Sequence, residues 1–530
     1  MSLEISREEV AQNNTTDSLW CIIDSKVYDL TDFADAHPGG STVLQQVGGL
    51  DATVDFFNLH RLEVLQKYEK SLCIGTVKGE TPQVIYPQPG DLSLVPYGEP
   101  TWLSPQFKSP YFKESHRRLQ RAMRVWVETV LAPEAQEKES SGARISDATI
   151  VEMGYVSHIS LDFYQDLIVM LLRRLGINAM RMGPGPHLKG LTLMNGAVTP
   201  EEFDYFHEMV INHELCRTGG RAFNDGNLGG MVISLPAVLY HAKPNIRKRV
   251  AEECLSGNKK ICLAISEAFA GSDVAGIKTT AVKSPDGTHY IVNGTKKWIT
   301  NGVFCDYFVT GVKTEKGFSV LLIERQEGLE TTQIKTSYSS SAGTAFIKLD
   351  NVKVPVENLL GVEDQGFRVM MTNFNHERWM ITTFSIRTSR IIVEDCIKWA
   401  NQRRVFGKKL IEEPVIRQKL AKMIAYAEAI QNYLENITYQ MCNMSQEEQN
   451  RHLAGPIGLF KMFATRAAHE IADEAVNVFG GRGITSTGMG RNIEMFHRTY
   501  KFDAILGGTE EILGDLGVRQ AMKYMPKAML

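Results

Sequence analysis

His37-Pro38-Gly39-Gly40 is followed 23 residues later by His60. Two imidazoles at that separation, one on either side of a short helical stretch, can close on a single haem iron from opposite faces. With both axial positions filled by histidine the iron has no open site, so such a centre passes single electrons and does not bind oxygen. The Pro-Gly-Gly run permits a tight turn beside a porphyrin edge, where a side chain would clash. Further along, Glu377 lies seven residues after Met370, three after Phe374 and four before Ile381. Helical periodicity puts its carboxylate on an apolar face, where a bare charge is costly. A glutamate so placed is either ion-paired, to an arginine of a neighbouring helix, or functional. Trp298-Ile299-Thr300 reads as the end of a strand, in which Trp298 and Thr300 share a face. One could lay an indole against a flat isoalloxazine while the other offers a hydroxyl to its N5; alone, Trp298 would be a strand-packing aromatic.

The elements that must position these residues follow from periodicity. A chain of 530 residues exceeds one core and divides into several domains. Seven prolines between residues 79 and 110 mark a linker, semi-extended where proline dominates. Apolar residues recur at three and four over 111–131, 159–175 and 201–215, which predicts helices. Ile261-Cys262-Leu263-Ala264-Ile265-Ser266 is a short apolar run of strand type, and Asn293-Gly294 within 290–299 reads as a hairpin turn. Strands continue to about Val354, and long helical patterns return from Gly366. A net charge of −3 without a basic run points away from nucleic acid and anionic membrane surfaces. The eight cysteines form no CxxC pair and read as reduced thiols. No apolar run approaches the roughly 20 residues that span a bilayer. The N-terminus lacks a transit or signal pattern and Ala528-Met529-Leu530 lacks a basic middle residue, so a cytoplasmic location is expected, with peroxisome or mitochondrion as alternatives.

Around the two histidines, Trp20 to Thr31 and Asp51 to Phe56 resemble cytochrome b5 over about residues 1–78. Asp51 to His60 is one residue shorter than in the microsomal protein. The resemblance implies a small α+β domain with haem b ligated by His37 and His60; a haem-free relic, or a module of this fold that binds a non-haem ligand, are the alternatives. Leu263 to Gly276, Trp298 to Gly302, Arg403 to Lys408 and Val478 to Gly483 together resemble the acyl-CoA dehydrogenase family over roughly 105–530. That implies a multidomain α+β chain: haem domain 1–78, linker 79–110, α-helical domain 111–260, a β-barrel domain that binds FAD at 261–365, and a C-terminal four-helix bundle at 366–530.

By the same resemblance Ser266 and Thr300 hydrogen-bond the flavin ring, Trp298 covers it, and Ser272 helps hold cofactor or pantetheine. Gly480, Gly481 and Thr509 belong to the cofactor set, Thr509 also reading as a helix N-cap with Glu510 and Glu511 in its first turn. Arg403, Phe406 and Asn477 stand where the family reaches FAD of a neighbouring subunit, which implies a homodimer or homotetramer. Asn477 replaces the usual glutamine, and Val405 a common threonine. The implied reaction is α,β-desaturation of an acyl-CoA thioester, with a carboxylate taking the Cα proton while hydride leaves Cβ for flavin N5. The family's glutamate near the C-terminus is replaced by Gly507. Phe374-Asn375-His376-Glu377-Arg378-Trp379 resembles the helix from which isovaleryl-CoA and long-chain relatives present an alternative glutamate, so Glu377 is the expected base. Electrons are expected to pass to the fused haem and on to a one-electron acceptor protein, or directly to electron-transferring flavoprotein. An oxygen-using oxidase on this fold, or a non-catalytic haem or acyl-CoA sensor, are the alternatives.

Overall fold

A computed structural model describes residues 3–155, 174–219, 221–226 and 229–526, and the chain folds as two compact units. The helix expected at 159–175 falls almost wholly outside the described residues. One unit joins Met1–Pro96 to Glu394–Lys422 and Glu474–Glu494. Its five-stranded sheet runs in the order Glu4–Ile5, Cys73–Val77, Lys26–Asp29, Ser18–Ile23, Asn14–Thr15. Period-two alternation splits the central strands: Cys21, Ile23 and Tyr28 face one apolar cluster, Ile22 and Val27 the other. Asp24 and Ser25 both take positive φ in the two-residue hairpin loop between the middle strands. The short helices Ser41–Gln45, Thr53–Leu59 and Leu62–Leu72 are laid between the hairpin and the last strand.

The other unit comprises Tyr97–Val393, Met423–Asp473 and Met495–Leu530. The periodicity over 111–131 becomes the Glu114–Trp126 helix and a π-type turn at Val127–Leu131. The 201–215 pattern is a helix only from Tyr205, because Asp204 is its N-cap and accepts from the His207 amide. Eight strands follow, and they do not close into a barrel as expected. The Tyr307–Lys313 strand shares one edge between Ile261–Ala264 along its first half and a single pairing, Thr280 with Lys313, at its end. The sheet therefore ends at Leu329–Gln333 on one side and the two-residue Leu359–Leu360 on the other.

Asn293-Gly294 is not a hairpin turn either. It lies inside one unbroken strand, His289–Ile299, where a Cβ on Gly294 would stand 2.6 Å from Cα of Thr279. Glycine here permits close backbone approach, and Asn293 faces a bulge of the partner strand at Asp350 and Asn351, the Asn351 amide donating to Oδ1 of Asn293 at 2.8 Å. From Gly366 the helices are long, as the periodicity predicts: Gly366–Gln402, Pro414–Asn443, Ala454–Phe479, Arg491–Ile505 and Glu510–Met522.

The Pro-rich stretch is not a tether throughout. Trp102 and Leu103 are buried, and the Glu99 carboxylate sits among guanidiniums. Arg124 Nη1 donates to Glu99 Oε1 at 2.6 Å and Arg387 Nη2 to Oε2 at 2.8 Å. Arg124 also pairs Glu214 through Nε and Nη2, at 2.9 and 2.8 Å. Burial alone would raise the Glu99 pKa, but Arg387 and Arg124 outweigh it and hold it far below the ordinary value. Glu99→Gln would leave these guanidiniums buried against a neutral amide. We expect a loss of about 3 kcal/mol in unfolding free energy, read as a lower denaturant midpoint with an unchanged slope.

Candidate active site and haem centre

His37 and His60 face each other with ring centres 6.0 Å apart, room for one iron between two metal–nitrogen bonds of about 2 Å. His37 Nδ1 donates to the Gly40 carbonyl at 3.2 Å and His60 Nδ1 to the Phe56 carbonyl at 3.3 Å. These bonds fix the tautomer and leave a bare Nε2 lone pair on each ring, as axial ligands require. Phe56 stacks on His60 at 4.7 Å and Phe33 meets His37 edge-on. A Cβ at Gly39 would lie 2.9 Å from Cε1 of His37, so glycine is what lets the ring lie back against its own turn. Val43, Val54 and Leu59, on the helices flanking the histidines, expose apolar surface that suits a macrocycle. The residues therefore fit a haem.

Glu377 is buried in the Gly366–Gln402 helix, with 3% of its surface exposed. Among the described residues it makes no ion pair within 4 Å, and its Oε2 has no hydrogen-bond partner. The arginine beside it, Arg378, donates from Nε to the Gly507 carbonyl at 2.9 Å, while its buried Nη1 has no hydrogen-bond partner among the described residues. Lys461, also buried, donates to the Gly508 carbonyl at 3.0 Å. Burial raises the Glu377 pKa to about 7, against the weaker pull of Arg378, Lys461 and His376. Gly507 has φ of +69°, and a Cβ there would stand 3.6 Å from Glu377 Oε1. The carboxylate thus lies beside Gly507.

Thr300 lines a small cavity with Met380 and Phe384 of the Glu377 helix, Leu506 beside Gly507, Ile233 and Arg181. Thr300 and the base helix are therefore brought to one space. Thr300 and Trp298 do not share a strand face as expected. Trp298 has φ of +61° at a bulge where Lys297 and Trp298 stand opposite Phe346 alone, and Thr300 is already in the following turn. The bulge turns the indole outward, half exposed, with the Lys297 ammonium 4.8 Å from its centre. A tryptophan held in the left-handed region is costly and marks a place where the chain is over-determined. Asn301 does part of that work: its side chain accepts from the Gly230 amide at 2.7 Å and donates to the Asp225 and Ala342 carbonyls. Ser266, half buried, accepts the Lys297 amide through its carbonyl at 2.9 Å. The next residue, Glu267, pairs with buried Lys296 at 2.8 Å. Ser272 is exposed in a bend of the same loop.

The remaining candidates lie in two places. Arg403, Phe406, Asn477, Gly480 and Gly481 all belong to the unit that holds the haem module. Phe406 and Gly407 form the positive-φ tip of the Arg404–Val405/Lys408–Lys409 hairpin, and the phenyl ring is 93% exposed. Arg403 lies over Trp399, which stacks on Phe479. Asn477 is exposed, and a Cβ added to Gly480 or Gly481 would meet nothing within 4 Å, so that backbone is open to an approaching group. Thr509 caps Glu510–Met522, accepting from the Ile512 amide, with Glu510 and Glu511 in the first turn.

Sequence reasoning missed the pair beside the base. His376 Nε2 lies 2.8 and 3.0 Å from the two oxygens of buried Glu208. Burial works against the His376 imidazolium, but Glu208 outweighs it and its pKa is raised. Glu208 is on Tyr205–Leu215, a helix in which every residue after the first is buried. A polar residue inside such a helix is the signal that could have found it. His116, Asp204 and His207 also cluster: His116 and His207 close two helix-capping boxes and both contact Asp204 Oδ1, while the buried Nε2 of His207 has no hydrogen-bond partner among the described residues.

Family models match in the same order as these sites: the cytochrome b5-like haem/steroid binding domain at 6–78, the acyl-CoA dehydrogenase middle domain at 262–352 and its C-terminal domain at 364–522. Acyl-CoA dehydrogenase apdG of Emericella nidulans is 36% identical over 439 residues, 82% of this chain and 96% of that protein. An acyl-CoA dehydrogenase of Alternaria alternata is 32% identical over 81% of this chain and 96% of its own. An acyl-CoA dehydrogenase complexed with FAD from Bacillus anthracis superposes with a TM-score of 0.64 at 25% identity, over 79% of this chain and 68% of that one. The class is thus a flavoprotein oxidoreductase with an N-terminal haem-binding domain, its cofactors FAD and haem. The chain belongs to the acyl-CoA dehydrogenase family.

Three outcomes follow from this geometry. Gly39→Ala should displace the His37 ring and lower haem content in the purified protein, read from the ratio of haem to protein absorbance. A carboxylate at Glu377 can take a proton only when ionised, so with Glu377 as base kcat/KM should rise with pH through about 7 and level above it. Glu377→Gln should reduce kcat by a factor of roughly 10² to 10⁴ while leaving the flavin bound.

Proposed function

We propose that this chain desaturates an acyl-CoA thioester between Cα and Cβ with Glu377 as the base, and delivers the electrons to the haem of its own N-terminal domain. The observation that carries the reading is a buried carboxylate with one oxygen unpartnered, beside Gly507. A weakly acidic Cα–H needs a base in a dry pocket with a raised pKa, which is what the surroundings of Glu377 provide. Arg378 and Lys461 hold the Gly507–Gly508 backbone rather than neutralising the base. Ser266 and Thr300 would bind the flavin ring, Trp298 would cover it, and Ser272 would hold cofactor or pantetheine. Bound FAD supplies acceptance of the Cβ hydride, so each turnover yields an enoyl thioester, one proton on Glu377 and two electrons to be passed on. His37 and His60 would hold the haem, which would supply one-electron acceptance for those electrons. Arg403, Phe406, Asn477, Gly480 and Gly481 would meet the FAD of a second copy, and Thr509 completes the cofactor set.

Anaerobic titration of the purified protein with a panel of acyl-CoAs, following flavin and haem absorbance together, tests this. Flavin bleaching followed by haem reduction is the expected result, and Glu377→Gln should abolish both. Bleaching without haem reduction would overturn the relay in favour of an external acceptor, and hydrogen peroxide formed in air would indicate an oxidase. Absence of bleaching with every thioester would overturn the dehydrogenase reading.

A further inference from the structure

Arg61 follows the iron ligand His60 and is the N-cap of the Leu62–Leu72 helix. Its side chain leaves the haem domain altogether. Nη2 donates to Asp395 Oδ2 at 2.8 Å, while Nη2 and Nε donate to the Met489 carbonyl at 2.8 and 3.1 Å. Only 16% of the Arg61 side chain and 13% of Asp395 remain exposed. The receiving surface is built for this cation. Asn492 Nδ2 donates to the same Asp395 oxygen at 2.9 Å, orienting the carboxylate. The Met489 carbonyl is presented by a Gly488–Gly490 turn with almost no tolerance for side chains: Gly488 has φ of +67°, and a Cβ on Gly490 would lie 1.8 Å from the Arg482 carbonyl.

A second anchor reaches the same helical turn, where Ser93 Oγ donates to Glu394 Oε1 at 2.6 Å. Nearer the haem domain, the Gln83 and Val84 amides donate to Asp24 Oδ1. Residues 85–92 between these anchors have no regular secondary structure, and Ile85 and Leu92 are exposed. An exposed ion pair would be worth little, but a desolvated, multiply bonded guanidinium keeps one geometry because breaking it strands a buried charge.

We propose that Arg61 with Asp395 and Met489 is a docking surface that holds the haem domain on this chain's own Glu394–Lys422 and Glu474–Glu494 segments, fixing the orientation of the haem relative to them. The partner is intramolecular: a carboxylate and a carbonyl that accept one arginine. The surface holds the haem against the segments that carry Arg403, Phe406, Asn477, Gly480 and Gly481, and rests on the proposed relay only for its purpose.

Small-angle X-ray scattering of the full-length holoprotein tests it, with haem absorbance confirming that the domain stays folded. Arg61→Glu places like charges at the junction. It should lengthen the maximum dimension by up to about 25 Å, the reach of residues 85–92 at about 3.3 Å each. The reversed pair, Arg61→Glu with Asp395→Arg, should return to the wild-type profile. If Arg61→Glu loses haem, Asp395→Lys reads the same junction from the other side. A wild-type profile in whichever of the two retains haem, or a double variant as extended as Arg61→Glu, overturns the proposal. Single-turnover mixing with the bleaching thioester separates the two readings. Docking predicts unchanged flavin bleaching and about tenfold slower haem reduction in Arg61→Glu. Failure of wild type to bleach would sink the dehydrogenase reading while scattering still decides the docking.

Discussion

The site depends first on the buried ion network around Glu99. Two carboxylates, Glu99 and Glu214, share Arg124, and Arg387 closes the set from the Gly366–Gln402 helix. Each member has lost its water, so each must keep its bonds or incur the cost of an unpaired charge. That requirement fixes the register of the long helix against the Glu114–Trp126 and Tyr205–Leu215 helices. Register matters because Glu377 sits less than three turns before Arg387 on the same helix. A slip of one residue would rotate the carboxylate about 100° away from Gly507.

Within that frame the local charges are distributed so that Glu377 is left unneutralised. His376, its neighbour, is committed to Glu208. Arg378 and Lys461 lie close enough to lower the pKa of Glu377, but their hydrogen bonds go to the Gly507 and Gly508 carbonyls. The same two bonds hold the glycine loop, whose positive φ values would strain a side chain. The surroundings of a buried carboxylate and the glycine loop beside it thus depend on one pair of cations. Burial dominates the balance, and the carboxyl ends near neutrality rather than fully ionised.

Much of this is legible in the sequence because it rests on local periodicity. The spacing of Met370, Phe374 and Ile381 around Glu377 gives both the helix and the buried face. His37 and His60 are legible because each lies at the end of a short element whose turn residues are fixed by composition. Strand alternation puts Trp298 and Thr300 on one face only because it presumes regular φ, and a left-handed tryptophan at a bulge has no sequence signature. Asn293-Gly294 misleads for the converse reason: glycine answers close approach to Thr279, a tertiary demand, rather than a turn. Barrel closure likewise depends on which edge each strand finds, and the single pairing of Thr280 with Lys313 is invisible to any pattern along the chain. Glu208 and Glu99 escape a reading of the sequence because a buried charge is announced only by its partners.

The linker shows the difference between a tether and an interface. Read as composition, thirty or so proline-rich residues give reach and an effective concentration in roughly the millimolar range. In the structure the stretch is divided by function. Its start is tied to the haem domain at Asp24, Ser93 is bonded to Glu394, and Glu99 is sunk among arginines. Between the first two anchors the chain has no regular secondary structure. A tether that short cannot choose an orientation, but it can hold a domain near a surface that does. Arg61 holds such a contact: one residue from His60, it donates to Asp395 and to the Met489 carbonyl.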